Sequence, residues 1–251
     1  MTDDEILLGH IKDLAERSYA RGIYTCSGFL REEELSYLLS NEREFGYAGF
    51  SVSGGIENAS RCVMRFGNPD TTGYDEPFPI ACLKIEPLSE KFGEALSHRD
   101  YLGALMNLGI ERELIGDILI DGKTAYVFCM EHIADFICDG LPRVRHTQVK
   151  ISVLNEVPEN LSPKLESRQI IASSERLDAV IAKLFNLSRT QSQRMFSEKK
   201  VFVNGRICEK PDIVCREGDK VSVRGCGKFI YEAAQGVTGK GRQRIAVSVY
   251  K

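Results

Sequence analysis

Asn204-Gly205 stands between two short runs of strand-forming residues, Val201-Phe202-Val203 and Arg206-Ile207-Cys208. Asn-Gly is the strongest two-residue hairpin signal, because both central residues take positive φ and these two types do so at least cost. Ahead of it the period is helical. Leu177, Val180, Ile181 and Leu184 recur on one face, with Arg176 and Lys183 together on another. Asn186 ends that helix. Ser188 opens a second through the S-x-x-Q capping box Ser188-Arg189-Thr190-Gln191, with Met195 and Phe196 as apolar anchors. Gly218-Asp219 makes a further turn before Val221-Ser222-Val223. The stretch 174–223 is therefore expected to fold as two short helices leading into a hairpin.

The same stretch is basic. From Ala172 to Lys251 there are 16 Lys+Arg against 8 Asp+Glu, a balance of +8, whereas residues 1–171 carry −11 and the whole chain −3. One basic end on an acidic chain points to a polyanion partner for that end alone. The first turn of the second helix combines Arg189, two hydroxyls and free backbone N–H groups, which suits a phosphate. Arg176, Arg189, Arg194, Lys199, Lys200 and Arg206 would form one positive surface if the helices and hairpin pack together. Lys183, Ser188, Thr190, Gln191, Asn204 and Gly205 complete the candidate binding set. Such a surface supplies affinity rather than sequence reading.

Upstream, residues 3–20 and 30–40 have helical spacing, and Phe45 to Ser53 and Cys62 to Phe66 read as strands joined through Gly54-Gly55. Asn68-Pro69-Asp70 breaks the pattern. Next come a strand at Ile80–Glu86, a Ser97-capped helix to about Leu108, strands at Gly116–Ile120 and Lys123–Phe128 joined by Asp121-Gly122, a helix over Cys129–Cys138, and a strand at Gln148–Leu154. That order, β-α-β-β-α-β, is the split plan of ferredoxin-like and RNA-recognition-motif folds. The basic-Gly-aromatic signature of the latter is absent, so Tyr126 and Phe128 are expected to pack rather than stack on bases. Arg143 and Arg145, in the basic loop 141–146, are a possible secondary phosphate contact. The expected organisation is α+β: an N-terminal α/β region at 1–76, a middle domain at 77–157, a linker at 158–170 and a basic domain at 171–251.

The longest apolar runs fall short of a membrane span, and the acidic N-terminus does not resemble a secretory signal, so a cytoplasmic protein is expected. The eight cysteines show no C-x2-C spacing and read as small buried hydrophobes in a reduced compartment. No metal or cofactor is expected.

Arg176-Leu177-Asp178, Ser188-Arg189, Val201-Phe202-Val203-Asn204-Gly205 and Gly218-Asp219-Lys220-Val221 together resemble the S4 RNA-binding domain. Two positions depart from that pattern: Ser192 stands where alanine is common, and Lys199 where a glycine usually ends the second helix. His98 to Met106, Gly109-Ile110 and Ile115-Gly116-Asp117-Ile118 resemble the YlmH family, as does the layout of the three parts. The resemblance implies a monomeric, non-enzymatic factor binding structured rRNA or tRNA on the large ribosomal subunit, in quality control of stalled translation. It also implies a link to cell division, which leaves an interaction protein as one alternative. The other is an RNA-modifying enzyme. Arg176-Leu177-Asp178 superficially matches the catalytic tripeptide of pseudouridine synthases, but Ala179-Val180-Ile181 continues a helix where that site needs small and hydroxyl residues. Gly236 to Gly241 is the sole candidate for a methyltransferase loop. It lacks a following βαβ unit and reads as a flexible turn.

Overall fold

Thr2 starts the first helix, α1 (Asp3–Arg21), with a capping box: its side chain accepts from the Glu5 N–H, and the Glu5 carboxylate accepts from the Thr2 N–H at 2.8 Å. The computed structural model describes residues 2–91, 93–161, 165–239 and 241–250. The chain divides into two compact units, residues 1–34 with 41–162, and residues 35–40 with 163–251.

In the first unit β1 (Thr25–Arg31) follows α1. Its sequence lacks clean alternation, and a register shift between Cys26 and Phe29 shows that pairing with its neighbour, not period, makes it a strand. Next are α2 (Glu32–Ser40), of which residues 35–40 fall in the second unit, β2 (Phe50–Ser53), β3 (Arg61–Phe66) and the one-turn helix α3 (Pro69–Thr72). The three strands form an antiparallel sheet in the order β1-β3-β2. The strand expected from Phe45 begins only at Phe50. Residues 42–48 instead make two 3-10 turns that bring Phe45 edge-on to Phe50 and Phe66, where it is fully buried. Asn68-Pro69 does more than break the pattern: Asn68 caps α3, with Pro69 in its first turn.

The middle part runs β4 (Ile80–Pro87), α4 (His98–Asn107), β5 (Ile115–Asp121), β6 (Thr124–Met130), α5 (Ala134–Gly140), β7 (Arg143–Val144) and β8 (Thr147–Leu154). Its antiparallel sheet has the order β5-β6-β4-β8-β7, the ferredoxin-like arrangement with a short strand added at one edge. Two boundaries move. The helix expected from Cys129 begins at Ala134, because Cys129 pairs with Ala81 and Ile115 as the end of β6. Asp121 pairs with Thr124, so the hairpin loop is Gly122-Lys123, with Gly122 at φ 61°.

Both faces of this sheet are covered. On one, Leu83, Ile85 and Val127 pack with Tyr101 and Leu105 of α4 and Ile137 of α5. On the other, Cys82, Tyr126, Phe128 and Met130 pack with Phe29 and Val63 of the N-terminal sheet. Tyr126 is 7% exposed and Phe128 0%. Burying such a ring is worth roughly 2–3 kcal/mol, and neither aromatic has a face free for a base.

The second unit begins with β9 (Leu165–Ala172), so the linker expected over 158–170 is strand from Leu165 on; its residues 162–164 lie outside the described residues. Then come α6 (Leu177–Leu184), α7 (Arg189–Ser197), β10 (Val201–Val203), β11 (Arg206–Ile207), β12 (Lys220–Val223), β13 (Gly227–Val237) and β14 (Gln243–Tyr250). The antiparallel sheet has the order β11-β10-β12-β13-β14-β9. β9 and β14 pair from Leu165 with Tyr250 to Ala172 with Gln243. The apolar faces of α6 and α7, with Leu177, Val180, Ile181 and Phe196, close over Val201, Val221, Phe229 and Ile245.

Candidate nucleic-acid interface

A buried acid organises the basic residues of α6 and α7. Asp178, 0% exposed, lies in the first turn of α6. Arg176 grips it with two bonds, Nε to Oδ1 at 3.1 Å and Nη2 to Oδ2 at 3.2 Å. Arg189 Nε stands 3.4 Å from Oδ2, and Gln193 Nε2 donates to the same oxygen at 3.3 Å. Burial alone pushes the Asp178 carboxyl up. Hydrogen bonds from Arg176 and Gln193, and the charges of Arg176 and Arg189, outweigh it and hold the group below the usual carboxylate range. One carboxylate shared by two guanidiniums leaves a net positive charge and several unused N–H donors. Ser192, the departure from alanine, is also buried, and its hydroxyl donates to the Asp178 carbonyl at 2.7 Å, tying α7 to α6.

The two helix starts differ in what they leave open. At α6, Leu177 and Asp178 donate their N–H groups to the carbonyls of Ile213 and Pro211, at 2.8 and 3.0 Å. At α7, Ser188 Oγ accepts from the Gln191 N–H at 3.1 Å and Gln191 Oε1 accepts from the Ser188 N–H at 2.8 Å. Ser188 and Gln191 thus shape the helix start. The Arg189 and Thr190 N–H groups belong to the first turn, so they have no acceptor within the helix, and both residues are exposed.

Of the other expected cations, several have acidic partners. Arg194 and Lys200 share Glu198, at 2.6 and 2.7 Å, and Lys199 pairs with Glu209 at 3.2 Å. The Asn204-Gly205 turn has both residues at positive φ, 52° and 77°. Asn204 is committed to the fold: its Nδ2 donates to Asp219 Oδ1 and its Oδ1 accepts from the Lys220 N–H, both at 2.9 Å. This links the Asn-Gly and Gly-Asp turns and leaves Arg206 exposed beyond them. In the first unit Arg143 and Arg145 are exposed, and Arg145 pairs with Asp100 at 3.3 Å.

Depressions on the two units differ in charge. In the first unit, one of about 570 Å³ holds Arg31, Arg61 and Arg112, matched by Glu34, Glu111 and Glu113. In the second unit, one of about 450 Å³ holds Lys183, Arg189 and Arg242, with no acid in its lining among the described residues. Sequence reasoning missed Arg242. A lone arginine after a glycine-rich turn carries no periodic or motif signal.

Residues 74–157 match the family model described as "Putative RNA-binding domain in YlmH", and residues 175–221 match the S4 domain. The chain is similar to the "Ribosome-associated protein quality control protein P2" of Bacillus subtilis (strain 168), with 29% identity over 86% of this chain and 82% of that protein. Among solved structures it is similar to "Cell division protein ylmH from Streptococcus pneumoniae", with 24% identity, a TM-score of 0.49, and coverage of 61% of this chain and 92% of that one. The S4 match spans the elements that Asp178 and the Asn204-Gly205 turn hold together, and the preceding match spans the covered ferredoxin-like sheet. With these two matches in this order, the chain is an RNA-binding protein that carries the putative RNA-binding domain described for YlmH followed by an S4 domain.

Proposed function

We propose that this protein is a non-enzymatic, monomeric, cytoplasmic factor that binds structured rRNA or tRNA on the large ribosomal subunit, in quality control of stalled translation. The name of the Bacillus subtilis relative supports the ribosomal and quality-control parts of this reading. The observation that carries the binding part is the buried Asp178 holding Arg176 and Arg189 beside the open N–H groups of α7. Arginines fixed in this way lose little side-chain freedom on meeting a phosphate. The same observation bears on the enzyme alternative. Asp178 has its oxygens occupied by Arg176, Arg189 and Gln193, which suits a structural acid rather than a nucleophile. Arg143 and Arg145 are the proposed secondary contact.

Binding of the full chain to purified large-subunit rRNA, measured across monovalent salt, tests the reading. Arg189→Ala and Arg194→Ala should each weaken binding and flatten the slope of log affinity against log salt by about one unit for each phosphate no longer neutralised. The larger effect is expected at Arg189, which the buried acid positions. A slope unchanged in both variants would remove the assignment of this surface, and uridine or methyl turnover by the full chain would restore the enzyme reading.

A further inference from the structure

The S4 match ends at residue 221, yet the second unit continues through β13 and β14. Hydrogen bonds among Thr238, Gly241 and Arg242 close the turn joining these strands. The Gly241 N–H donates to the Thr238 carbonyl at 2.8 Å, the Thr238 N–H to the Arg242 carbonyl at 2.7 Å, and the Arg242 N–H to Thr238 Oγ1 at 3.1 Å. Lys240 lies outside the described residues. Past the turn, Gln243 pairs with Val237 on one side and Ala172 on the other. The backbone of Arg242 is therefore held in place at the sheet end.

Its side chain enters the 450 Å³ depression shared with Lys183 of α6, Arg189 of α7, Ser173, Asn186 and Ile171. Two cations from the consecutive helices α6 and α7 and a third from the turn before β14, far along the chain, line it together, and among the described residues no acid lines the hollow. Arg189 is the one already tethered to Asp178, which is itself shared with Arg176 and so cannot cancel both charges. The volume falls in the range of small-ligand sites, ample for a phosphate with its sugar. Ile171, 44% exposed on β9, supplies an apolar wall.

We infer that Lys183, Arg189 and Arg242 form a pocket for a backbone phosphodiester of the bound RNA, so that the C-terminal hairpin completes the binding surface of α6 and α7. This inference rests on the RNA-binding reading above. Its distinctive content is Arg242, which that reading does not use.

The test compares full-length Arg242→Gln with Arg244→Gln, Arg189→Ala and the unaltered protein, on purified large-subunit rRNA across monovalent salt. Arg244 carries the same charge on the same hairpin but does not line the depression. Arg242→Gln should reduce affinity about fivefold near 0.1 M salt and flatten the salt slope by about one unit, the effect of leaving a single phosphate unneutralised. Arg244→Gln should do markedly less. Lys183→Gln combined with Arg242→Gln should weaken binding by less than the sum of the two, because both residues touch one group. If Arg242→Gln matches Arg244→Gln while Arg189→Ala abolishes binding, the pocket is refuted and the RNA-binding surface stands. If neither Arg242→Gln nor Arg189→Ala changes binding, both are refuted.

Discussion

Asp178 shows how a single residue can settle the geometry of a charged surface. Its type and position, in the first turn of a helix after Arg176, are visible in the sequence and suit a salt-bridging acid. The partners are not: Arg189 and Gln193 lie a full helix away, and only the packing of α7 on α6 brings them to the carboxylate. Asp178→Asn keeps the shape and removes the charge that holds two partly exposed arginines. It should destabilise the fold by roughly 1–3 kcal/mol, a range reduced from that of a fully buried pair for the solvent around the arginines. RNA affinity should fall as well, since Arg176 and Arg189 lose their anchor. A urea melt and a salt titration check the two effects separately, and an unaltered urea midpoint would contradict this account of the acid.

At the scale of elements, the end of α7 stands out. Lys199 occupies the position where a glycine is usual, and its φ is +54°. Its N–H donates to the Phe196 carbonyl and that of Lys200 to the Met195 carbonyl, which closes the helix as a glycine would. The backbone geometry is thus retained while the residue type departs from it, and a side chain in the left-handed region costs about 1 kcal/mol or more. Lys199→Gly should therefore stabilise the protein by about 0.5–1 kcal/mol after the added chain entropy of glycine is counted, and thermal melts should show a raised midpoint. A lowered midpoint would mean that the exposed Lys199–Glu209 pair matters more than exposed pairs usually do. Elements whose signals are local were legible at this scale: the Ser97 and Ser188 capping boxes and the Asn204-Gly205 turn form where spacing places them. Elements whose identity depends on partners were not. β1 needs β3, β9 needs β14, and the end of β6 overrides the helical spacing expected from Cys129.

Over the whole molecule the cores impose a common pH dependence. All eight cysteines are free. Burial pushes the Cys82 thiol up to about 11 and those of Cys129 and Cys215 up to about 12, and burial together with Glu175 raises the Tyr231 phenol. Such groups stay protonated in the fold, while a thiol in the open chain ionises near pH 8.5, roughly. Their stabilising contribution is complete below that pH and is lost as pH rises from there toward the folded values. The urea midpoint should fall steadily between about pH 8.5 and 11, and iodoacetamide at about pH 8 should spare these three thiols in the native protein. Rapid native alkylation of Cys129 or Cys215 would contradict their burial.

The sequence by itself determined the module types and their order: a ferredoxin-like middle part, then two helices and a hairpin with a basic surface. It did so because periodicity, caps and turn residues act over a few positions and need no distant partner. Only the tertiary structure decided which faces and charges remain available. The N-terminal sheet covers Tyr126 and Phe128, because an apolar sheet face is buried by whatever apolar surface reaches it. Glu198 is shared by Arg194 and Lys200 and Glu209 pairs with Lys199, all at the surface, while the buried Asp178 fixes Arg176 and Arg189. Lys183 of α6 and Arg189 of α7 line one depression, and the turn before β14 adds Arg242 to it. Long-range pairing sets that position, and no local pattern in the chain encodes it.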